Sequence, residues 1–260
     1  MKSECIILIP IHKKKLNYFE TKSLIRCIKI LKRFKIVFLL PMKISRIDSE
    51  IDLTNIEVIN ISNKYFENIY AYNKLKTSRF FYNIFKGYKF ILTYELDSWV
   101  FKDELEHWCL RDFDYIGAPW FSGYSNDSSY NFNGVGNSGF SLRKVDKMLE
   151  IFSDYRNPFL KQESKIITCT KNLIGWFYYR IFSENFFIQN SSGFHEDTLI
   201  SSLIEVKKIN IPNELTALKF SFEMHPSYLF SLNNNELPFG CHAWEKYEPE
   251  FWSNYIEFNE

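Results

Sequence analysis

"KFILTYELDSWVF", residues 89–101, joins an apolar run to two carboxylates separated by one leucine. The run Phe90-Ile91-Leu92 is too apolar for a strand with one wet face, so "KFILTYEL" (89–96) reads as a strand buried on both sides. On extended backbone Glu95 and Asp97 point the same way. Two negative charges at the end of a buried strand mean that a cation is held there or that the strand has met solvent. An acid-x-acid triplet is common and, alone, leaves both readings open.

Working outward, "CIILIP" (5–10), "KIVFLLP" (35–41) and "NIEVINI" (55–61) read as further strands, the first closed by proline. Between them "YFETKSLIRCIKILKRF" (18–34) places Leu24, Ile25, Ile28 and Leu31 at helical spacing. "NIYAYNKLKTSRFFYNIF" (68–85) reads as a second amphipathic helix, ended by Gly87. The order β-α-β-β-α-β predicts an α/β protein with a mostly parallel central sheet flanked by helices. Beyond residue 101 the pattern loosens. "DELEHWCL" (103–110) reads as a short helix, "YIGAPW" (115–120) as a strand, and "FSLRKVDKMLEIF" (140–152) as strand then helix. Residues 121–139 form a polar Gly/Asn/Ser loop. Residues 157–190 are helical and aromatic-rich, with no role assigned. "HEDTLISSLIE" (195–205) reads as a helix, "KKINIP" (207–212) as a strand, and 213–260 as irregular. No internal repeat or linker interrupts the chain, so 1–260 is expected to be a single domain.

Composition narrows the class. With 46% hydrophobic and 18% aromatic residues, a large core is available and disorder is disfavoured. Lys+Arg of 32 against Asp+Glu of 31 gives a net charge of +1, without the basic excess of a nucleic-acid binder. Cys5, Cys27, Cys109, Cys169 and Cys241 are scattered and odd in number, as expected of reduced thiols in a cytoplasmic protein. No apolar run reaches the length of a membrane span. The basic stretch 13–46 is either a solvated helix face or a peripheral contact with the inner face of a membrane.

Four stretches can carry chemistry. Ligands of open α/β sheets bind outside the carboxyl ends of the strands, where Glu95 and Asp97 stand. Such a pair suits Mn2+ or Mg2+, which take oxygen ligands beside a substrate diphosphate. "GVGNSGFSLRK" (134–144) brings backbone close to a ligand through Gly136, Asn137, Ser138 and Gly139, or is a tight turn between strands. It does not follow the first strand, so a dinucleotide fingerprint is disfavoured. In "GFHEDTLIS" (193–201), Glu196 and Asp197 either cap a helix or supply a general base. In "LPFGCHAWEKY" (237–247), His242 is a structural histidine or a nitrogen ligand to the metal. Trp120, Phe121, Trp244 and Trp252 are candidates to stack on a sugar or base, or are core.

Taken together, "YNKLKTSRFFY", "ILTYELDSWVF", "DYIGAPW", "GVGNSGFSLRK", "HEDTLIS", "FSFE" and "PFGCHAW" resemble the DUF5672 family, whose members look like GT-A glycosyltransferases. The resemblance runs over roughly residues 3–255. It implies a GT-A-like (Rossmann-like) domain, with a nucleotide-binding half in 1–101 and an acceptor- and sugar-binding half in 102–260. It further implies a metal-dependent, inverting transfer of sugar from a nucleotide-diphosphate donor, typically a UDP-sugar. The acceptor would be a hydroxyl of a glycan or lipid-linked glycan, in bacterial surface polysaccharide synthesis. The metal ligands implied are Asp97, Glu95 and His242, with Glu95 departing from the usual first aspartate. Asp197 is preferred over Glu196 as the base. Donor contacts are implied for Pro10, Ile11, His12, Tyr72, Asn73, Lys74, Ser78, Arg79, Glu95 and the segment Gly136–Gly139. Acceptor contacts are implied for Trp120 and Trp244. Two rivals are a nucleotidyltransferase that makes the nucleotide sugar and a non-catalytic glycan-binding protein. The former needs a Gly-rich loop after the first strand. "PIHKKKLNYFE" (10–20) has lysines there but no glycine.

Overall fold

Strand β1 (Ser3–Pro10) sends alternate side chains into two separate cores. Cys5, Ile7 and Ile9 join one apolar cluster, Ile6 and Leu8 the other. A strand with both faces buried must lie inside a sheet covered on both sides. The computed structural model describes residues 3–48, 51–122, 130–159, 165–190 and 195–256. Along the first half follow α1 (Tyr18–Ile30), β2 (Lys35–Pro41), β3 (Glu57–Ile61), α2 (Ile69–Lys76), α3 (Arg79–Ile84), β4 (Tyr88–Tyr94) and β5 (Ser98–Val100). Next come α4 (Leu105–Leu110), β6 (Tyr115–Ile116), β7 (Pro119–Phe121), β8 (Phe132–Val135), β9 (Phe140–Lys144) and α5 (Val145–Ser153). Then α6 (Lys165–Phe182), α7 (Phe186–Gln189), α8 (Glu196–Ser202) and α9 (Ile204–Lys207) lead into α10 (Glu214–Phe220). The chain closes with β10 (Ser221–Phe222), α11 (Pro226–Leu232), β11 (Gly240–His242) and α12 (Pro249–Trp252).

The central sheet has the order β3-β2-β1-β4-β9-β6. β1 to β4 are mutually parallel, and β9 runs antiparallel to both β4 and β6. Helix α1 covers one face with Leu24 and Cys27, while α2, α3, α5 and α8 cover the other with Leu75, Phe81, Met148 and Leu199. The chain is thus the α/β protein its first hundred residues predict. Strand order reverses beside β1, because β2 lies on one side and β4 on the other. That is a topological switch point, and ligands of open α/β sheets bind in the crevice outside it.

Several expectations are corrected. The predicted helix 68–85 is two helices, because Thr77 and Ser78 break it. Ser78 Oγ accepts from Phe81 N–H and caps α3. Glu95 and Asp97 do not lie on a strand. They occupy a turn closed by Ser98 N–H donating to Glu95 C=O at 2.9 Å. "YIGAPW" is split into β6 and β7. "KKINIP" forms no strand: Lys207 ends α9, and Asn210 meets Asp114 by one backbone bond and one bond to the Asp114 carboxylate. Residues 213–256 are not irregular: α10, α11 and α12 pack a third core around Trp99, Trp244 and Trp252. The expected loop residues 123–129, and Gly193 and Phe194 of the acidic motif, lie outside the described residues.

Candidate active site

A second, three-stranded sheet builds the site. In it β11 runs antiparallel to β5, setting His242 opposite Ser98. This pairing brings a C-terminal histidine beside the turn that carries Glu95 and Asp97. His242 Nε2 stands 3.2 Å from Asp97 Oδ1 and 4.0 Å from Glu95 Oε2. One ligand atom from each of the three residues falls within 4.8 Å of the other two. On the ring's far side Nδ1 meets Glu223 Oε1 at 3.0 Å. Asn137 Nδ2 also meets Nδ1, at 3.1 Å, and the two contacts hold the ring with Nε2 aimed at Glu95 and Asp97. Nε2 is buried and lacks a hydrogen bond of good geometry. Gly139 makes room for the ring, because a Cβ there would sit 2.1 Å from Nε2. The donor set is two carboxylates and one imidazole, partly open to solvent, and it fits a hard divalent cation.

The charges are consistent with that fit. Burial opposes protonation of His242, yet Asp97 first and Glu223 second hold its pKa well above the usual imidazole value. Burial likewise opposes ionisation of Asp97, and the His242 charge outweighs it, keeping the carboxyl below its ordinary range. Asp97 at Nε2 and Glu223 at Nδ1 therefore favour a positive charge on the ring, and a metal ion would replace the proton at Nε2.

Behind this cluster lies a buried ion network. Glu196, on the first turn of α8, is fully buried, and its Oε1 lies 2.5 Å from Arg143. Its Oε2 lies 3.5 Å from Lys76 Nζ. Lys76 is buried too, reaches Glu95 Oε1 at 3.3 Å and donates to Ser138 Oγ. Arg143 also donates to Tyr82 Oη and to Ser138 C=O. Two cations and two acids so arranged leave little uncompensated buried charge. Glu196 thus sits in the interior, where an acceptor hydroxyl has no path to it. Asp197 beside it is partly exposed. Burial, then the Glu196 charge, raises its pKa.

A cleft of about 510 Å³ opens at the switch point. Its walls are the end of β1 with Pro10, Ile11, His12 and Lys13, the start of α2 with Asn68, Ile69 and Tyr72, and the turn with Glu95 and Asp97. Of the expected donor contacts, Pro10, Ile11, His12, Tyr72 and Glu95 are brought together here. Asn73, Lys74 and Ser78 do not line the cleft. On α2, Tyr72 and Lys76 share the side facing the site, and Asn73 and Lys74 are turned away by about 100° per residue. Arg79 N–H is bound to Glu184. Gly136, Asn137, Ser138 and Gly139 lie behind Glu95, Asp97 and His242. Asn137 Oδ1 accepts from Gly139 and Phe140 N–H, and Tyr115 Oη donates to Asn137 C=O. Trp120 lies against Gly136, where a Cβ would be 2.2 Å from its ring, and is partly exposed. Trp244 is corrected: its indole is buried edge-on to Phe19 and Trp99 and presents no face to a sugar. Phe121 and Trp252 are core residues for the same reason. Sequence reading passed over Lys13, Lys76, Arg143 and Glu223. Two signals were present: Lys76 lies one helical turn from Tyr72, and Arg143 is a cation inside an apolar strand.

Comparison with known proteins gives likenesses of low identity. Galactosyltransferase LgtC, crystallised with donor and acceptor sugar analogues, is 12% identical, with 91% of this chain and 86% of that one covered and a TM-score of 0.44. Glycosyltransferase GlyE of Streptococcus pneumoniae TIGR4 is 12% identical with a TM-score of 0.46; 98% of this chain is covered, but only 61% of GlyE. Mouse xyloside xylosyltransferase 1 is 9% identical, with 92% of this chain and 97% of that one covered and a TM-score of 0.47. Among curated proteins none matches. Residues 55–242 match the family described as "Protein of unknown function (DUF5672)", and that match takes in β3, Glu95, Asp97, His242 and the buried ion network: the chain belongs to the DUF5672 family.

Proposed function

We propose that the protein is a metal-dependent glycosyltransferase of GT-A type that moves a sugar from a nucleoside-diphosphate donor to an acceptor hydroxyl. One observation carries the reading: Glu95, Asp97 and His242 converge at the mouth of a cleft at the sheet's switch point. All the cleft walls come from the first 97 residues, as a nucleotide-binding half requires. The end of β1 and Tyr72 would receive the nucleoside. Lys13 and the N-terminal turn of α2 would face the diphosphate. Mn2+ or Mg2+, held by Asp97, Glu95 and His242, would supply Lewis-acid stabilisation of the departing diphosphate.

The residues of the chain supply the rest. Glu223 holds the His242 ring and Lys76 holds Glu95, so the ligands are positioned before the donor arrives. Asp197 is assigned as the base. Its raised pKa favours proton uptake, and one proton would pass to it from the acceptor hydroxyl. The acceptor oxygen then bonds to the anomeric carbon as the bond from that carbon to the diphosphate oxygen breaks. Configuration inverts in such a single displacement. Trp120 is assigned to the acceptor side, which we take to be a glycan or lipid-linked glycan of a bacterial surface polysaccharide. The network joining Glu196, Lys76 and Glu95 also disfavours a passive glycan-binding protein, which has no use for convergent buried charge.

The test is a nucleotide-release screen over UDP-, GDP- and CDP-sugars with Mn2+, with and without EDTA. Release from one donor class, abolished by EDTA and by Asp97→Ala, is expected. Full activity in EDTA or in Asp97→Ala would overturn the metal assignment. Pyrophosphate release from a nucleoside triphosphate and a sugar phosphate would instead identify a nucleotidyltransferase. The anomeric configuration of the product, read by NMR, decides between inversion and retention.

A further inference from the structure

Helix α6 turns its apolar side outward. Among its residues with described side chains, Gly175 is the buried one, and a Cβ there would meet Tyr155 C=O at 2.2 Å. By helical spacing Thr168, Asn172 and Tyr179 share that inner side. Asn172 Oδ1 accepts there from Asn157 N–H. The outer side carries Leu173, Ile174, Trp176, Phe177 and Ile181, with 55%, 48%, 42%, 56% and 72% of their surface exposed. A helix on the surface of a globular protein normally shows the reverse arrangement. The patch continues past the helix end. The Glu184 carboxylate accepts from the N–H groups of Arg79 and Phe80, which brings the exposed Phe80 alongside.

The charge on this helix is one-sided. Residues 165–182 contain Lys165, Lys171 and Arg180 and no acid. Arg180 lies over the Trp176 ring, 5.8 Å from its centroid. At about 27 Å in length α6 is a long ridge. No described helix is long and apolar enough to cross a membrane. An apolar ridge with aromatic residues and only cationic charge is the pattern of a helix lying in the interface of an anionic bilayer. A second copy of α6 laid against it would bring like charges together.

We propose that α6 docks the protein on an anionic lipid bilayer, with Leu173, Phe177 and Ile181 entering the headgroup–acyl boundary and Arg180 meeting lipid phosphate. The experiment is co-sedimentation of the full chain with vesicles of phosphatidylcholine mixed with phosphatidylglycerol, against vesicles of phosphatidylcholine alone, in roughly 0.1 M NaCl. Binding to the anionic vesicles is expected, and the double variant Leu173→Glu/Phe177→Glu should weaken it about tenfold or more. Both side chains face solvent, so the variant should keep the parent Tm and Mn2+ affinity. The unsubstituted protein gives an independent reading: brominated lipid should quench its tryptophan fluorescence, and Trp176→Phe should remove most of that quenching. No sedimentation with anionic vesicles, equal sedimentation of the double variant, or absence of quenching would overturn the proposal. So would a dimer in analytical ultracentrifugation that the double variant dissolves, since a second copy would then cover the face.

Discussion

Gly139 shows how one missing side chain shapes the site. A methyl group there would overlap the His242 ring, so Gly139→Ala must push the histidine aside. About a tenfold loss of Mn2+ affinity is expected, with little change in secondary structure. Glu223→Gln should weaken Mn2+ by a similar factor through loss of the anionic partner at Nδ1, and calorimetric titration measures both. A proton at His242 would compete with a metal bound there. Its folded pKa is raised, so Mn2+ affinity should climb with pH through the range above the ordinary imidazole value of about 6.5 and level off beyond the raised one. The metal-free fold responds with the opposite sign. Stability from this group is full below the unfolded pKa and is lost as pH rises through the folded one. Proton release on binding, read in buffers of different ionisation enthalpy, checks the coupling. Of these residues, Asp97, Glu95 and His242 were legible in the sequence as oxygen and nitrogen donors. Glu223 and Lys76 were not, because a second layer is defined by what it touches.

Elements explain where the legibility ends. β1, β2, β4 and α1 have periods long enough to declare themselves, and both faces of the strands are apolar. β11 is three residues long, and its partner β5 lies some 140 positions earlier, so no local pattern announces the pairing that delivers His242. "KKINIP" alternates like a strand, yet its pairing with Asp114 is one backbone bond and one bond to the carboxylate, too little for a ladder. The break after α2 was hidden because Ser78 lies within a continuous helical period. Its hydroxyl caps α3, so Ser78→Ala should cost about 1 kcal/mol by urea denaturation and leave metal affinity unchanged. Glu196 shows a similar change of role. In the sequence it is a candidate base; in the fold it balances Arg143 and Lys76 at full burial. Glu196→Gln should therefore lower stability by about 3–5 kcal/mol, visible as a lower denaturation midpoint even without substrate.

At the scale of the molecule, two cores on the faces of one sheet hold the switch-point crevice open, and a third core under the C-terminal helices holds β11 beside it. The first hundred residues specify the cleft; the last sixty complete the candidate cation site with His242. That division explains why the α/β class could be read early and the site only in part. The ends of β1 and β4 follow from strand order, whereas the return of the chain to β5 depends on packing among Trp99, Trp244 and Trp252. The proposed function stands on Glu95, Asp97 and His242 forming one divalent-cation site. Its most direct test is Mn2+ titration of the full chain, followed by electron paramagnetic resonance of the free ion, beside Asp97→Ala and His242→Ala. One site per chain is expected in the parent protein, with loss of that site in both variants while each keeps its fold. Parent protein that leaves Mn2+ free, or variants that bind it as tightly as the parent, would contradict it.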